Sequence, residues 1–286
     1  MAINAIQANF LSAITANRQI GANNAKLGAN LAKMASGKAI NKASDGAAAL
    51  SIIQALESDL KSANQAQRNI SDGASLTRVA EGGLNEISSL LSRGRELSVQ
   101  AANGTLNDSQ RTTINNEVTA IKEEINRITG TTEFNGQKLL DGSLAPGSSN
   151  QVSVQAGFQN TPSDSISLNQ IENTTTTSLG VDSVDVSTQQ GARDALASFD
   201  SAIQTVATNR ANIGSLQNRL DTAAQNLSVT RENLASAKST LQSLDYASET
   251  SDAKKNQVMV QVGIQSLTQG LKTQSSLIGS LLNTLG

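Results

Sequence analysis

The sequence predicts a mainly α protein: an elongated antiparallel helical hairpin or coiled coil, with a small β-hairpin region in mid-chain. Three observations carry this expectation. First, Val206, Ile213, Leu220, Leu227, Leu234 and Leu241 recur every seven residues, each followed three residues later by Asn209, Leu216, Ala223, Thr230, Ala237 and Leu244. A seam sustained over that length marks a helix packed along its whole side on other helices. Second, both ends of the chain carry seams of their own. Val260, Ile264, Leu267, Leu271, Ile278, Leu281 and Leu285 step by threes and fours, with one beat missed at Gln274. Ile3, Ile6, Phe10, Ala13, Ile20, Leu27, Leu31 and Met34 do nearly the same, broken by Asn17 and Asn24. Third, only 2% of the residues are aromatic, and the two prolines, Pro146 and Pro162, both fall in the middle. Aromatic side chains dominate thick globular cores, and proline breaks helices. Long slender helices on either side of an irregular centre satisfy both facts.

Taken in order, residues 4–35 read as the first helix, ended by Ala35-Ser36-Gly37-Lys38, with a loop from Asn41 to Gly46. A second long helix is expected from about Ala47 to Asn103, with Gly104 as its stop. Its apolar stripe includes Ile53, Leu56, Leu60, Ile70, Leu84, Ile87 and Leu91, and it is weakened by Gly73, Gly82-Gly83 and Gly94. Each such glycine costs about 1 kcal/mol relative to Ala unless it permits a close approach. Asn107 or Asp108 supplies a cap for a third helix, striped by Ile114, Val118, Ile121, Ile125 and Ile128 and stopped at Gly130. The pattern then changes. Asn135-Gly136 and Asp141-Gly142 are turn signals, and Gln151–Gln155 and Ser165–Leu168 alternate as short strands. Asn173–Ser178 is Thr-rich and expected to be exposed, with Thr174–Thr177 a candidate for surface modification. The return helix is expected from about Gln190 and extends roughly 60 Å along its heptads. Asp245–Asp252 reads as a linker to the last helix.

Composition removes whole classes of function. There is no Cys and no His, so disulfides, thiolate metal sites, cysteine nucleophiles and imidazole bases are excluded. The 22 basic and 24 acidic residues leave a net charge of -2, without the excess of Lys and Arg that nucleic-acid backbones require. No apolar run reaches the ~20 residues of a membrane span, and the start, MAINAIQANF, is not a cleaved signal peptide in type. Export, if it occurs, is expected by another route. Glu123-Glu124 with Lys122 and Arg127 reads as a solvated helical face. No metalloprotease, phosphate-loop or serine-elbow motif is present. No catalytic residue, metal site or cofactor is expected. Charge is unevenly placed: residues 1–35 hold no acid, and residues 256–286 hold only Lys272. Such ends are poorly solvated alone and are expected to order fully when packed.

Five groups of segments stand in a distinctive order: Leu31–Asn41 with Ala43–Ala48, Asn69–Gly73 through Glu81–Ile87, Glu133–Leu140, Asn209–Leu220 and Asp245–Glu249. Together they closely resemble bacterial flagellin over nearly the whole chain. Residues from about Ser143 to Gln189 resemble it least. The resemblance implies a structural subunit that polymerises into the helical flagellar filament for motility. It implies residues 1–40 as an N-terminal inner-tube helix, 41–130 as outer-tube helices and 131–189 as the β-hairpin and turn region. Residues 190–244 would be the outer-tube return helix, and 245–286 the linker and C-terminal inner-tube helix. The short middle implies a form with little or no variable outer domain. The expected interface between copies comprises Ile3, Ile6, Phe10, Leu27, Leu31, Val260, Ile264, Leu267, Leu271, Ile278, Leu281 and Leu285. Expected partners are further copies, a flagellar export chaperone, hook-associated cap and junction proteins, and an innate immune receptor. The receptor would meet Arg93, Glu96, Leu97 and Glu117, although Ser92 and Gly94 depart from the family's longer side chains. Gly46 also departs, where a second Asp is common. The expected location is the extracellular filament, reached by type III export without a cleaved signal. The alternatives are a hook–filament junction protein, which shares the tip helices, and a soluble coiled-coil signalling protein.

Overall fold

A computed structural model describes the backbone of residues 2–285 and the side chains of residues 7–276, 278 and 279. Five long helices carry the chain: α1 (Ala2–Ser36), α2 (Ala43–Ala101), α3 (Asp108–Thr131), α4 (Gln189–Gln242) and α5 (Tyr246–Leu285). Between α3 and α4 lie β1 (Glu133–Phe134) with β2 (Gln137–Lys138), and β3 (Ser153–Gln155) with β4 (Ser165–Ser167), each an antiparallel pair. A single 3-10 turn, Pro162–Asp164, precedes β4. The mainly α expectation with a small mid-chain β region is borne out.

Local chemistry sets the element ends. Gly46 has a non-helical backbone (φ 163°, ψ 88°), so uninterrupted helix in α2 begins at Ala47. Asn107 caps α3: its side chain accepts from the Gln110 N–H at 2.9 Å, while the Gln110 side chain accepts from the Asn107 N–H at 3.0 Å. This reciprocal box satisfies two of the donors a helix start leaves free. Asn135 and Gly136 take φ of 50° and 78°, the paired left-handed residues that a two-residue hairpin turn requires.

The chain forms two compact units. The larger spans Asp59–Asn233 and holds the continuous hydrophobic core. There α2 and α4 run antiparallel, since Arg95 meets Asp200 and Glu81 meets Gln217. Val206, Ile213, Leu216, Leu220 and Leu227 of the heptads are buried in this core. Asn209 occupies a seam position and is buried, because its side chain accepts the Glu172 N–H at 3.2 Å. Phe199 is fully buried against Gly94, where an added Cβ would lie 2.6 Å from two ring carbons. That glycine is a close-approach site, and its helical cost is offset by the ring it admits.

The segment before α4 contradicts one expectation. Thr174 and Thr176 are buried rather than exposed. The segment is held by polar side chains of α3: Asn126 bonds the Thr176 N–H and hydroxyl, and the Thr129 hydroxyl donates to the Thr174 carbonyl. Lys122 donates to the Asp182 and Val184 carbonyls at 3.0 and 2.9 Å, and Asn115 accepts the Val186 N–H. Loop polarity is spent on these bonds, so threonine content gave no measure of exposure. Of the tract, Thr177 stays exposed.

The smaller unit combines Met1–Ser58 with Leu234–Gly286. Here a second expectation fails: residues 246–252 are helix, not linker. Asp245 explains this, because its carboxylate accepts the Ala247 and Ser248 N–H groups at 2.9 and 3.2 Å and so caps α5. The connectors on either side of the unit pair briefly. Ala39 N–H donates to the Gln242 carbonyl and Leu244 N–H to the Gly37 carbonyl. The Tyr246 hydroxyl donates to the Met34 carbonyl at 3.1 Å, one of the carbonyls left free at the end of α1.

Candidate functional site

The helix pair α1–α5 is the site to examine, because it has almost no core. Among the described residues, the buried apolar side chains of the smaller unit are Ile53 and Ala253. The same unit carries every exposed large apolar side chain among those residues except Val79, Val99 and Val229.

The pair runs antiparallel: Tyr246 meets Met34, Gly263 meets Ile20, and Gln274 lines a hollow with Phe10 and Leu11. Its seam on α1 is Ala13, Ala16, Ile20, Asn23, Leu27 and Met34, all half-buried or buried. On α5 it is Ala253, Asn256, Val260, Gly263, Leu267 and Gln274. Small and polar residues therefore share the contact between the two helices with Ile20, Leu27, Met34, Val260 and Leu267. Other large apolar residues of the pair are exposed. Phe10 is 57% exposed, Leu11 67%, Ile264 50% and Leu271 52%. Ile14, Leu31, Val258, Val262 and Ile278 are exposed as well.

The expected interface residues thus divide. Leu27, Val260 and Leu267 lie in the seam within the chain, while Phe10, Leu31, Ile264, Leu271 and Ile278 face outward. Ile3, Ile6, Leu281 and Leu285 lie outside the described side chains. Leu11, Ile14, Val258 and Val262 were not singled out from the sequence. Leu11 and Ile14 sit one residue from Phe10 and Ala13, whereas Val258 and Val262 lie on the face of α5 opposite Val260 and Ile264; the four-residue step from Val258 to Val262 is their signal.

Of the surface group around Arg93, the structure brings three members together. The Arg93 guanidinium donates to Glu117 at 2.8 and 3.1 Å and to Glu96 at 3.3 Å. Those hydrogen bonds, to Glu117 first, raise the Arg93 pKa above its ordinary value. Leu97 does not join them: it is 1% exposed and belongs to the core. It belongs to the buried stripe of α2 with Leu91, Ser98 and Ala101. In the connector before α2, Asp45 accepts the Asn41 and Lys42 N–H groups at 3.0 and 2.9 Å, which lowers its pKa. Among the described residues no three His, Cys, Asp or Glu side chains converge as a metal site. No described helix is long and apolar enough to cross a membrane.

Residues 7–145 match the bacterial flagellin N-terminal helical region, and residues 196–282 match the bacterial flagellin C-terminal helical region. The flagellar filament 30.7 kDa core protein of Treponema maltophilum is 34% identical over 96% of this chain and 98% of its own. The chain belongs to the bacterial flagellin family. A Bacillus subtilis flagellin is 33% identical over 92% of this flagellin and 95% of its own length. A solved structure assigned as a flagellar hook-associated protein of Vibrio parahaemolyticus is 18% identical, with a TM-score of 0.57. It covers 70% of this chain and all of that one, and shares the fold. The family is one of structural proteins, and its two helical regions bracket the segment that resembled it least.

Proposed function

We propose that this flagellin is the structural subunit of a helical flagellar filament and acts mechanically. The observation that carries the reading is the outward apolar row on α1 and α5. Exposed large apolar side chains concentrated on two helices, with so few others among the described residues, mark an association site. Covering one half-exposed Leu or Ile is worth about 1 kcal/mol before ordering costs, so a shared row accumulates a usable total. A contact that joins different patches on successive copies, and does not close, yields an open helical polymer.

In this reading residues 1–40 and 245–286 form the inner tube, and 41–130 with 190–244 the outer tube. The near-full-length likeness to filament proteins supports that arrangement over a junction protein. An export chaperone covers the α5 row before assembly, since exposed apolar side chains on a stretch (256–286) whose only charged residue is Lys272 need shielding. Hook-associated cap and junction proteins meet the same rows at the filament ends. The subunit leaves the cell by type III export without a cleaved signal and functions outside it. An immune receptor would read Arg93, Glu96 and Glu117, with Leu97 supporting them from beneath.

The test is deletion of residues 256–286. Electron microscopy of the concentrated deletion should show no filaments, while circular dichroism and a cooperative unfolding transition show the larger unit intact. Filaments from the deletion would refute the role given to α5. Few-subunit caps from the full chain would favour a junction protein, and discrete bundles a signalling coiled coil.

A further inference from the structure

The tip of the β1–β2 hairpin carries chemistry that assembly does not use. We propose that Asn135 is a site of self-modification, in which the Gly136 nitrogen closes on the Asn135 side chain and the amide is lost as ammonia. A bond forms between the Gly136 N and the Asn135 Cγ, and the Asn135 Cγ–Nδ2 bond breaks. The Gly136 N–H proton leaves with the departing nitrogen. Water then reopens the succinimide ring at either carbonyl, giving aspartate or isoaspartate. No oxidant or reductant takes part, and the side chain gains a negative charge.

The chain holds two Asn-Gly steps, Asn103-Gly104 and Asn135-Gly136. Glycine suits the reaction at both, since it has no side chain to shield its nitrogen. Both steps are exposed, so exposure does not tell them apart. Bonding does. The Asn103 amide oxygen accepts the Thr105 N–H at 3.1 Å. The Asn103 carbonyl accepts from Arg111 Nη2 at 3.0 Å and from the Leu106 N–H at 3.3 Å. Just before it, Arg111 Nε donates to the Ala101 carbonyl and the Gln189 amide to the Ala102 carbonyl. That Gln189 amide also crowds Gly104, where an added Cβ would lie 3.3 Å from its nitrogen. Ring closure at Asn103 must pull the side chain off Thr105 and twist a main chain that is fastened on both sides. Asn135 is held by none of this. With Gly136 it turns a hairpin only two pairs long, Glu133 with Lys138 and Phe134 with Gln137. Among the described residues nothing bonds the Asn135 side chain or the Gly136 N–H. Nothing stands within 4 Å of a Cβ added at Gly136. The left-handed turn, with φ of 50° and 78°, must rotate before the ring closes, and so short a ladder opens at small cost. Reopening to isoaspartate lengthens the main chain by a carbon, which no longer fits a two-residue turn.

The test incubates the full chain at mildly alkaline pH, folded in one series and unfolded in guanidinium chloride in another. Trypsin then releases Ile128–Lys138, which carries Asn135, and Glu96–Arg111, which carries Asn103. Mass spectrometry follows the exchange of amide for carboxylate at each site, and chromatography separates isoaspartate from aspartate. In the folded chain Asn135 should convert about tenfold faster than Asn103 or more, because the bonds at Asn103 must be broken first. In guanidinium chloride the two rates should converge. Asn135→Gln, which would have to close a larger ring, should leave Ile128–Lys138 at its original mass. Equal rates in the folded chain, an unconverted Asn135, or a gap of the same size in denaturant would overturn the proposal. The measurement needs no polymer, so its failure leaves the filament reading untouched.

Discussion

Arg111 shows how one side chain can close an element. It is buried at the start of α3, and its guanidinium donates to the Ala101 and Asn103 carbonyls, both at 3.0 Å. The Ala101 carbonyl ends α2, where a helix leaves acceptors free, and Asn103 follows in the connector to α3. Arg111→Ala should lower the unfolding free energy of the larger unit by about 2–3 kcal/mol in urea titration. Arg111→Lys should recover less than half of that, because an ammonium cannot span two acceptors as a planar fork does. A loss below about 0.5 kcal/mol would contradict the capping role. Asp45 offers a pH counterpart. The Asn41 and Lys42 N–H groups hold its carboxylate charged and lower its pKa from 3.8. A group with a lowered folded pKa contributes above its unfolded value and loses that contribution as pH falls through the folded one. The Asn41 and Lys42 amide resonances should therefore shift together with a midpoint below 3.8; a midpoint at or above it would remove the interaction. Single residues of this kind were partly legible in the sequence. Asn107 and Asn135-Gly136 act within three residues, so their chemistry is local and readable. Arg111 and the pair Asn126–Thr176 act across loops, and nothing in the spacing announces such partners.

At the scale of elements, glycine separates two situations that look alike in sequence. Gly94 lies against the Phe199 ring, whereas nothing stands within 4 Å of a Cβ added at exposed Gly82. Gly94→Ala should destabilise the larger unit by about 1–3 kcal/mol, because a fully buried ring cannot withdraw. Gly82→Ala should stabilise it by about 0.5–1 kcal/mol through helix propensity and a less free unfolded chain. Thermal melts of both variants would check the pair, and equal effects would sink the distinction. The heptads of α4 were legible because burial continues unbroken from Val206 to Leu227. The terminal helices were legible as helices but not in their facing. Their apolar residues form adjoining rows, and a three-four spacing cannot say which row meets the partner helix and which meets another molecule. Asn23 and Asn256 were read past for the same reason, since a polar residue looks like a gap in a seam rather than part of one. Tyr246–Asp252 was mistaken for a linker because its helix is started by Asp245 rather than by an apolar stripe.

The whole molecule divides its labour between two units. Among the described residues, the larger has a continuous core and exposes Val79, Val99 and Val229, while the smaller has scarcely any core and carries most of the large apolar side chains that are exposed. Family membership was legible because ordered motifs recur along nearly the full length. The inside–outside division of the terminal pair was not, because it depends on how closely two helices approach. If the outward rows drive assembly, association should strengthen with temperature over the range where apolar burial is entropy-driven. Sedimentation velocity at several temperatures would register that rise, and a steady fall on warming would point to polar contacts instead. The most direct measurement takes the double variant Ile264→Asp/Leu271→Asp in the full chain. Its urea unfolding midpoint and its polymer, seen by electron microscopy at concentrations where the original chain assembles, are recorded together. The expected result is an unchanged midpoint with no filaments; filaments of ordinary length and number would contradict the account.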